Sequence, residues 1–286
     1  MIQRVIFGKT GWAIDLAGCE EIVAELPNVF AGWEIRTGTP KKFPNSKPRA
    51  KLTRREDGWY WRAIGATKPR DWDSIPPKSA MRVLTDIHDV AIYWYLEDNP
   101  HLLCLHGGAV QIGKGLVCFP ARGFSGKSTL ITNLAALGHK VFSDDVLALE
   151  ANGNRGMSLG FMPRLRTPLP PNTAPSVLDY IKNNLGYTSH GWLYLKLKRP
   201  QIAQFEQSAR ITSIIMLERK DEGPPALEEV STAPVLKNLI AENIIRQIPM
   251  PEIFDRLHGL ASGCQRYRLR YSNALEAAQF LAKQFA

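Results

Sequence analysis

One run in the sequence has the residue types and spacing for phosphate chemistry: Ala121-Arg122-Gly123-Phe124-Ser125-Gly126-Lys127-Ser128, with Thr129 behind it. It fits Gly-x-x-x-x-Gly-Lys-Ser/Thr except that Ala121 stands at the first glycine. A tight loop of this kind turns successive backbone N–H groups inward, toward phosphate oxygens. The helix that opens behind it adds the positive end of its dipole. Lys127 would reach the β- and γ-phosphates of ATP, and the Ser128 hydroxyl would ligate Mg²⁺.

A pair of acids, Asp144 and Asp145, follows at the end of the short apolar run Val141-Phe142. Phosphoryl transfer needs carboxylates for two jobs: holding the metal ion, directly or through water, and orienting or deprotonating the acceptor hydroxyl. Two acids at one strand end could divide those jobs. Successive strand residues point opposite ways, so both face the site only if the strand has ended there. A turn or helix-cap pair is the plainer use of two adjacent aspartates.

These residues need a strand, a loop, a helix and a second strand to hold them. Leu116–Pro120 reads as the strand before the loop. Leu130, Ile131, Leu134 and Leu137 give the helix behind it an apolar face that ends at Gly138. The run KVFSDDVLALE reads as one strand carrying the acids near the same sheet edge, where α/β folds place nucleotide chemistry. Upstream, LLCLHGGAVQI and LVCFPA flank a Gly-Lys-Gly turn at 113–115, which predicts a β-hairpin. Ser79 to Asp98 predicts one helix, with Val83, Leu84, Ile87, Val90, Ala91, Trp94 and Tyr95 on one face and Pro100 beyond its end. Residues 1–75 give only short β-like stretches at Arg4–Phe7, Gly32–Arg36 and Trp59–Ile64. Asn152-Gly153-Asn154 predicts a hairpin turn toward Met157–Phe161. Later elements are strands at Ile211–Glu218, Leu227–Val230 and Arg266–Tyr271, helices near 232–246 and 251–261, and a final helix from Asn273.

The 286 residues carry 36 Lys plus Arg against 27 Asp plus Glu. Residues 36–70 hold eleven of the bases and only Glu56 and Asp57, an excess equal to the whole net charge of +9. Such a segment suits an anionic partner, whether an acidic peptide, a phosphorylated substrate or nucleic acid, although solvated charge runs are common. Isolated bases without a reading helix argue against nucleic acid, despite Trp59, Tyr60 and Trp61 among them. No apolar run approaches the roughly 18–20 residues that span a bilayer. Lys9 and Asp15 interrupt the opening apolar stretch, and Cys19, Cys104, Cys118 and Cys264 are far apart. Neither a secretory signal nor a disulfide or zinc framework is indicated, so a cytoplasmic location is the expectation.

The stretch LHGGAVQIGKGLVCFPARGFSGKSTLITNLAALGHKVFSDDVLAL resembles the catalytic core of HPr kinase/phosphorylase and its diverged relatives, the HPr-kinase-related serine kinases. The shared order is His106 at a strand start, a Gly-rich hairpin, the phosphate loop, one helix, a Leu-Gly-His turn at 137–139 and the acid pair. The resemblance implies an α/β P-loop kinase core of the HPr kinase C-terminal-domain type over residues 100–286. A smaller α+β domain over residues 1–99 would precede it and could recruit the substrate. It implies ATP- and Mg²⁺-dependent transfer of the γ-phosphoryl group to a hydroxyl, most simply serine, of a peptide, protein or small molecule. Asp144 would take the acceptor proton, Asp145 would help hold Mg²⁺, and His106 would line the active site. A homo-oligomer is implied as well. The family's Glu-Ile/Val-Arg-Gly signature after the acids is not found. GFMPRLRTPLPP stands there instead, and Arg164 and Arg166 become candidates for clamping phosphate or an acidic substrate.

Two other functions fit parts of the pattern. Small-metabolite kinases of the shikimate or gluconate kind have a similar spacing from the loop lysine to an acid pair, but they begin with the phosphate loop. A nucleotide-binding regulatory module contacting nucleic acid through residues 36–70 is the non-enzymatic alternative. The sequence holds no base-recognition motif that would separate ATP from GTP or pyrophosphate as donor.

Overall fold

The computed structural model describes residues 1–64, 79–151, 154–189, 191–245 and 247–286. Strands β1 (Ile2–Phe7), β2 (Trp12–Ala17), β3 (Ile35–Gly38), β4 (Pro48–Arg55) and β5 (Gly58–Ala63) form a sheet in the order β3-β1-β2-β4-β5, and helix α1 (Glu20–Val29) joins β2 to β3. Alternation along the strands buries one face: Val5 and Phe7, Ile14 and Leu16, Ala50 and Leu52, Trp59 and Trp61. The strand expected over 32–36 starts only at Ile35. Before it, Trp33 N–H bonds back to Phe30 O at 2.9 Å, and Gly32 packs on Gly160. A methyl group on Gly32 would lie 2.5 Å from the Gly160 Cα, so this turn needs its glycine.

Helix α2 (Ala80–Asp98) matches the expected span, and Ser79 Oγ caps it by accepting Arg82 N–H at 3.2 Å. The rest of the chain runs β6 (Leu103–Ile112), β7 (Gly115–Pro120), α3 (Lys127–Ala136), β8 (Lys140–Ser143), β9 (Val146–Leu149), β10 (Arg155–Ser158), β11 (Arg164–Arg166), α4 (Pro175–Asn183), β12 (Leu185–Ser189), β13 (Trp192–Leu195), β14 (Ser208–Arg219), β15 (Ala226–Glu229), α5 (Thr232–Glu242), α6 (Met250–Gly263), β16 (Gln265–Tyr271) and α7 (Ala274–Gln284). Of the turn expected at Asn152-Gly153-Asn154, Asn152 and Gly153 lie outside the described residues.

The central sheet runs β10-β9-β6-β7-β14-β16-β15, with β8 also on β6. Strands β7, β14 and β16 are parallel. Strand β6 is antiparallel to both β7 and β8, so those two run the same way and end at the same sheet edge. That edge therefore receives both the glycine-rich loop after β7 and the acid pair, although β8 and β7 are not neighbours. Strands β11, β12 and β13 make a separate small sheet, with β13 in the middle. One apolar cluster of buried residues extends from Val5 to Leu281. Stacking of Trp33 on Phe205, 3.8 Å between ring centres, is part of the contact between the N-terminal sheet and the rest. No helix among the described residues is long and apolar enough to cross a membrane.

Candidate active site

The expected single strand through the acids is broken at the acids themselves. His106 pairs with Val146 and Ala109 pairs with Ser143, one continuous register along β6. Asp144 and Asp145 therefore lie opposite Gly108 and Gly107, where the Asp145 carbonyl still accepts Gly107 N–H at 2.8 Å. The local bend lets both carboxylates turn toward the same cavity, which resolves the objection from strand alternation.

Glycine is required on β6 because α3 lies close above it. A methyl group at Gly108 would come 2.1 Å from Ile131 Cδ1 and 3.3 Å from Lys127 Cγ. Close approach of helix and strand brings Lys127 over the sheet edge, where it is 5% exposed and donates to Ala121 O at 3.2 Å. Burial pulls the Lys127 ammonium below its ordinary range, while Asp144, Asp145 and Glu242 push the other way.

A cavity of about 490 Å³ gathers His106, the loop residues Arg122 through Thr129, both aspartates, Arg164 and Arg166. Of the candidate residues only Ala121 stays out of its lining, buried behind the loop at 7% exposure. Asp144 is 7% exposed. Its Oδ2 accepts Arg164 N–H at 3.0 Å, and its Oδ1 is buried without a hydrogen-bond partner. Burial raises its pKa above the ordinary carboxylate value, and Lys127 opposes that. For Asp145 burial also acts upward, but the hydrogen bond from His106 and the nearby His88 and Lys127 win, and its carboxyl is held well below the carboxylate range. The two adjacent acids are thus driven apart, a common arrangement where one carboxylate takes a proton and the other stays charged.

The donor set suits a magnesium nucleotide. Buried Asp144 Oδ1 and Ser125 Oγ have no protein partner, and the loop N-terminal to α3 is a cradle for anionic oxygens. Ser128 and the charged Asp145 would hold Mg²⁺, a hard cation that prefers one or two carboxylates plus phosphate oxygens.

Two site residues are not recognisable from the sequence. Glu242, at the end of α5, is 4% exposed and lies 3.2 Å from His106 Nδ1 through Oε2. Its Oε1 is 3.4 Å from Arg122 Nε, and His106 Nε2 is 3.1 Å from Asp145 Oδ1. The chain thereafter is fixed to β6 by an isolated bridge from Asn243 to Leu105 and by Ile244 N–H to Cys104 O at 3.0 Å. Trp192 is the other. Arg166 lies 3.5 Å over the Phe124 ring and 4.7 Å from Trp192, and Arg164 lies 4.5 Å from Trp192. Arg164 Nη1 also donates to Thr85 Oγ1 at 3.2 Å. Phe124 is 86% exposed with φ of 68°, a left-handed backbone that is uncommon for a bulky residue. Stacking on flat aromatic faces fixes both guanidinium groups beside the acids.

The basic segment divides in the fold. Arg49 is held by Asp98 at 2.8 Å and lies over Trp12, so it serves packing. Arg54 stacks on Trp59 at 3.7 Å and Arg55 on Tyr60 at 4.3 Å. Lys51 on β4 lies in register between Asp15 on β2 and Arg62 on β5, so an acid flanks it on one side and a base on the other. Lys68 and Arg70 lie outside the described residues.

No protein-family model and no curated protein matches the chain. Among solved structures, the Hpr(Ser) kinase/phosphatase from Coxiella burnetii aligns over 63% of this chain and 95% of its own. The alignment has a TM-score of 0.32 and 15% sequence identity. At that score and identity the likeness decides nothing about activity, and the chemistry has to be read from the side chains.

Proposed function

We propose that this protein is a phosphotransferase that moves the γ-phosphoryl group of ATP, as its magnesium complex, to a hydroxyl acceptor, with a serine side chain as the simplest candidate. The observation that carries this reading is the meeting of buried Lys127 with two adjacent carboxylates of opposite displacement at one sheet edge. Lys127 would neutralise charge developing between the β- and γ-phosphates, and backbone N–H groups of the loop would hold the phosphate oxygens. Bound Mg²⁺ would supply further neutralisation of that charge. Asp144, with its free Oδ1 and raised affinity for a proton, would orient the acceptor hydroxyl and take its proton. His106 would hold Asp145 through Nε2. Arg164 and Arg166, immobilised by Trp192, would meet phosphate or an anionic acceptor. The excess of bases over residues 36–70 favours an acceptor carrying negative charge.

The test is transfer of label. Purified protein with Mg²⁺ and γ-labelled ATP is incubated against lysate fractions split into peptides, proteins and small metabolites, beside Lys127→Ala. Label in one fraction, dependent on Lys127, establishes the activity and the acceptor class together. Equal labelling by the Lys127→Ala protein overturns the loop assignment. No label with ATP still bound favours a nucleotide-sensing role.

A further inference from the structure

We infer that the acceptor is a small molecule bearing an acidic group close to its hydroxyl, bound between Asp144 and helix α2 with the acid on Arg164. The inference rests on the proposed transfer reaction and narrows the acceptor class left open there. Its size follows from the cavity walls, and its charge from Arg164.

Asp144 is almost wholly buried, so a hydroxyl reaches it only from inside the cavity. Past Asp144 the cavity ends on His88 of α2, Phe161, Met162 and Tyr194. His88, Met162 and Tyr194 are buried. The Phe161 ring lies 4.0 Å from the His88 ring, between centres, and Phe30 and Trp33 stand behind it at 5.3 and 6.0 Å. The far end is therefore a wall that the N-terminal part of the chain closes, and it leaves no groove along which a polypeptide could continue. At the rim, the exposed Arg166 lies between Phe124 of the loop and Trp192 of β13. A seryl loop on a folded protein would have to displace this stack to reach Asp144, and a small molecule would not.

Arg164 bounds the acceptor's shape. Its backbone N–H holds Asp144 Oδ2, while its guanidinium donates to Thr85 Oγ1 on α2 and lies 4.5 Å from the Trp192 ring centre and 6.0 Å from that of Tyr194. The carboxylate that would take the hydroxyl proton and the cation that would hold the acid are thus separated by no more than one arginine side chain. A molecule that bridges them carries its hydroxyl and its acid a few bonds apart, as a hydroxy acid or a phosphorylated alcohol does. None of these guanidinium partners is negative, and no carboxylate lies within ion-pair distance of Arg164 among the described residues. Its charge is free for a carboxylate or phosphate, which the planar fork suits. Thr85 would be a positioning residue that aims the fork.

The experiment incubates the full chain with Mg²⁺ and γ-labelled ATP against the small-metabolite and protein fractions of a lysate, kept separate. The expected result is Lys127-dependent label on a small molecule whose mass spectrum shows a second acidic group, and the spectrum distinguishes carboxylate from phosphate. With that compound as acceptor, Arg164→Gln should raise its KM by about tenfold or more, the usual loss of a charge-assisted contact, and leave the KM for ATP within about twofold. Arg164→Lys keeps the charge without the fork and should recover part of the loss. Thr85→Val removes only the hydroxyl that receives the guanidinium and should raise the acceptor KM by a smaller factor, again at unchanged KM for ATP. A retained KM for ATP also shows that each variant is folded. Label confined to protein would overturn the inference and leave the phosphotransferase standing. So would a labelled small molecule without a second acid, or an unchanged acceptor KM in Arg164→Gln. An equal rise in the KM for ATP would place Arg164 on the nucleotide and overturn it as well. No label in either fraction from protein that binds ATP would overturn the transfer reaction itself, and this inference with it.

Discussion

His106 Nε2 lies 3.1 Å from Asp145 Oδ1, so the imidazole bridges β6 to the carboxylate that the proposed mechanism keeps charged. The opposite ring nitrogen is 3.2 Å from Glu242 Oε2, from a helix 136 residues later. Held between two carboxylates, the ring is fixed in its orientation. Glu242 is therefore a positioning residue. Glu242→Ala should lower kcat for transfer by on the order of tenfold to a hundredfold, the usual effect of losing such an outer partner, with little change in KM for ATP. Glu242→Gln keeps an acceptor oxygen and should recover part of that loss. A rise in KM at unchanged kcat would show that Glu242 supports the loop through Arg122 instead.

Asp144→Asn should retain ATP binding and lose transfer by about 10²- to 10⁴-fold, the range for a removed general base. The amide can still accept Arg164 N–H, so the local fold should hold. Equilibrium ATP binding and single-turnover transfer measure the two separately. Loss of nucleotide binding here, with Asp145→Asn sparing it, would reverse the roles of the two acids.

Gly108→Ala tests the close approach of α3 to β6. The added methyl would lie 2.1 Å from Ile131 Cδ1, an overpacking that should cost about 1–3 kcal/mol. Ile131→Val removes that Cδ1 and should by itself cost about 0.5–1.5 kcal/mol. Combined, the two changes should be less destabilising than their sum, since each relieves the other. Urea unfolding of the four proteins completes the cycle. Simple additivity would show that the clash is relieved elsewhere.

Asp86 on α2 should govern stability between pH 4 and 6. Burial raises its pKa to about 6, against opposition from Arg82, which it meets at 2.8 Å. An unfolded aspartate titrates near about 3.9, so the folded chain binds the proton more tightly. Stability attached to this group is fully present below about pH 4, declines as pH rises, and is gone above about 6. Asp86→Asn should therefore raise the unfolding free energy at pH 7, by on the order of 1 kcal/mol once solvent screening of this partly exposed group is counted, and have little effect at pH 4. Denaturant midpoints at the two pH values are the measurement. An equal effect at both would place the cause in packing rather than charge.

Local chemistry made much of the site legible in the sequence. Glycines and Lys127-Ser128 between an apolar strand and an amphipathic helix specify a strand–loop–helix unit at short range, and β7 and α3 form as their patterns require. The hairpin at Gly113-Lys114 and the capped α2 are similarly local. Elements whose signals are mixed were not legible. Helix α1 carries Pro27 inside it, and β12 and β13 are short strands in a loop-rich stretch. The Gly32–Arg36 stretch has strand-like composition, but Gly32 is committed to its contact with Gly160, far along the chain. Partners of that kind belong to the tertiary structure alone. Sheet order sets which strand ends share an edge, so it decided that Asp144 and Asp145 bend apart from their strand beside Lys127. It also decided that Glu242 reaches His106, that Trp192 holds Arg164 and Arg166, and that Arg219 and Tyr271 flank Gly126. Side-chain periodicity reports which face of an element is apolar, and no local pattern reports which distant element that face will meet.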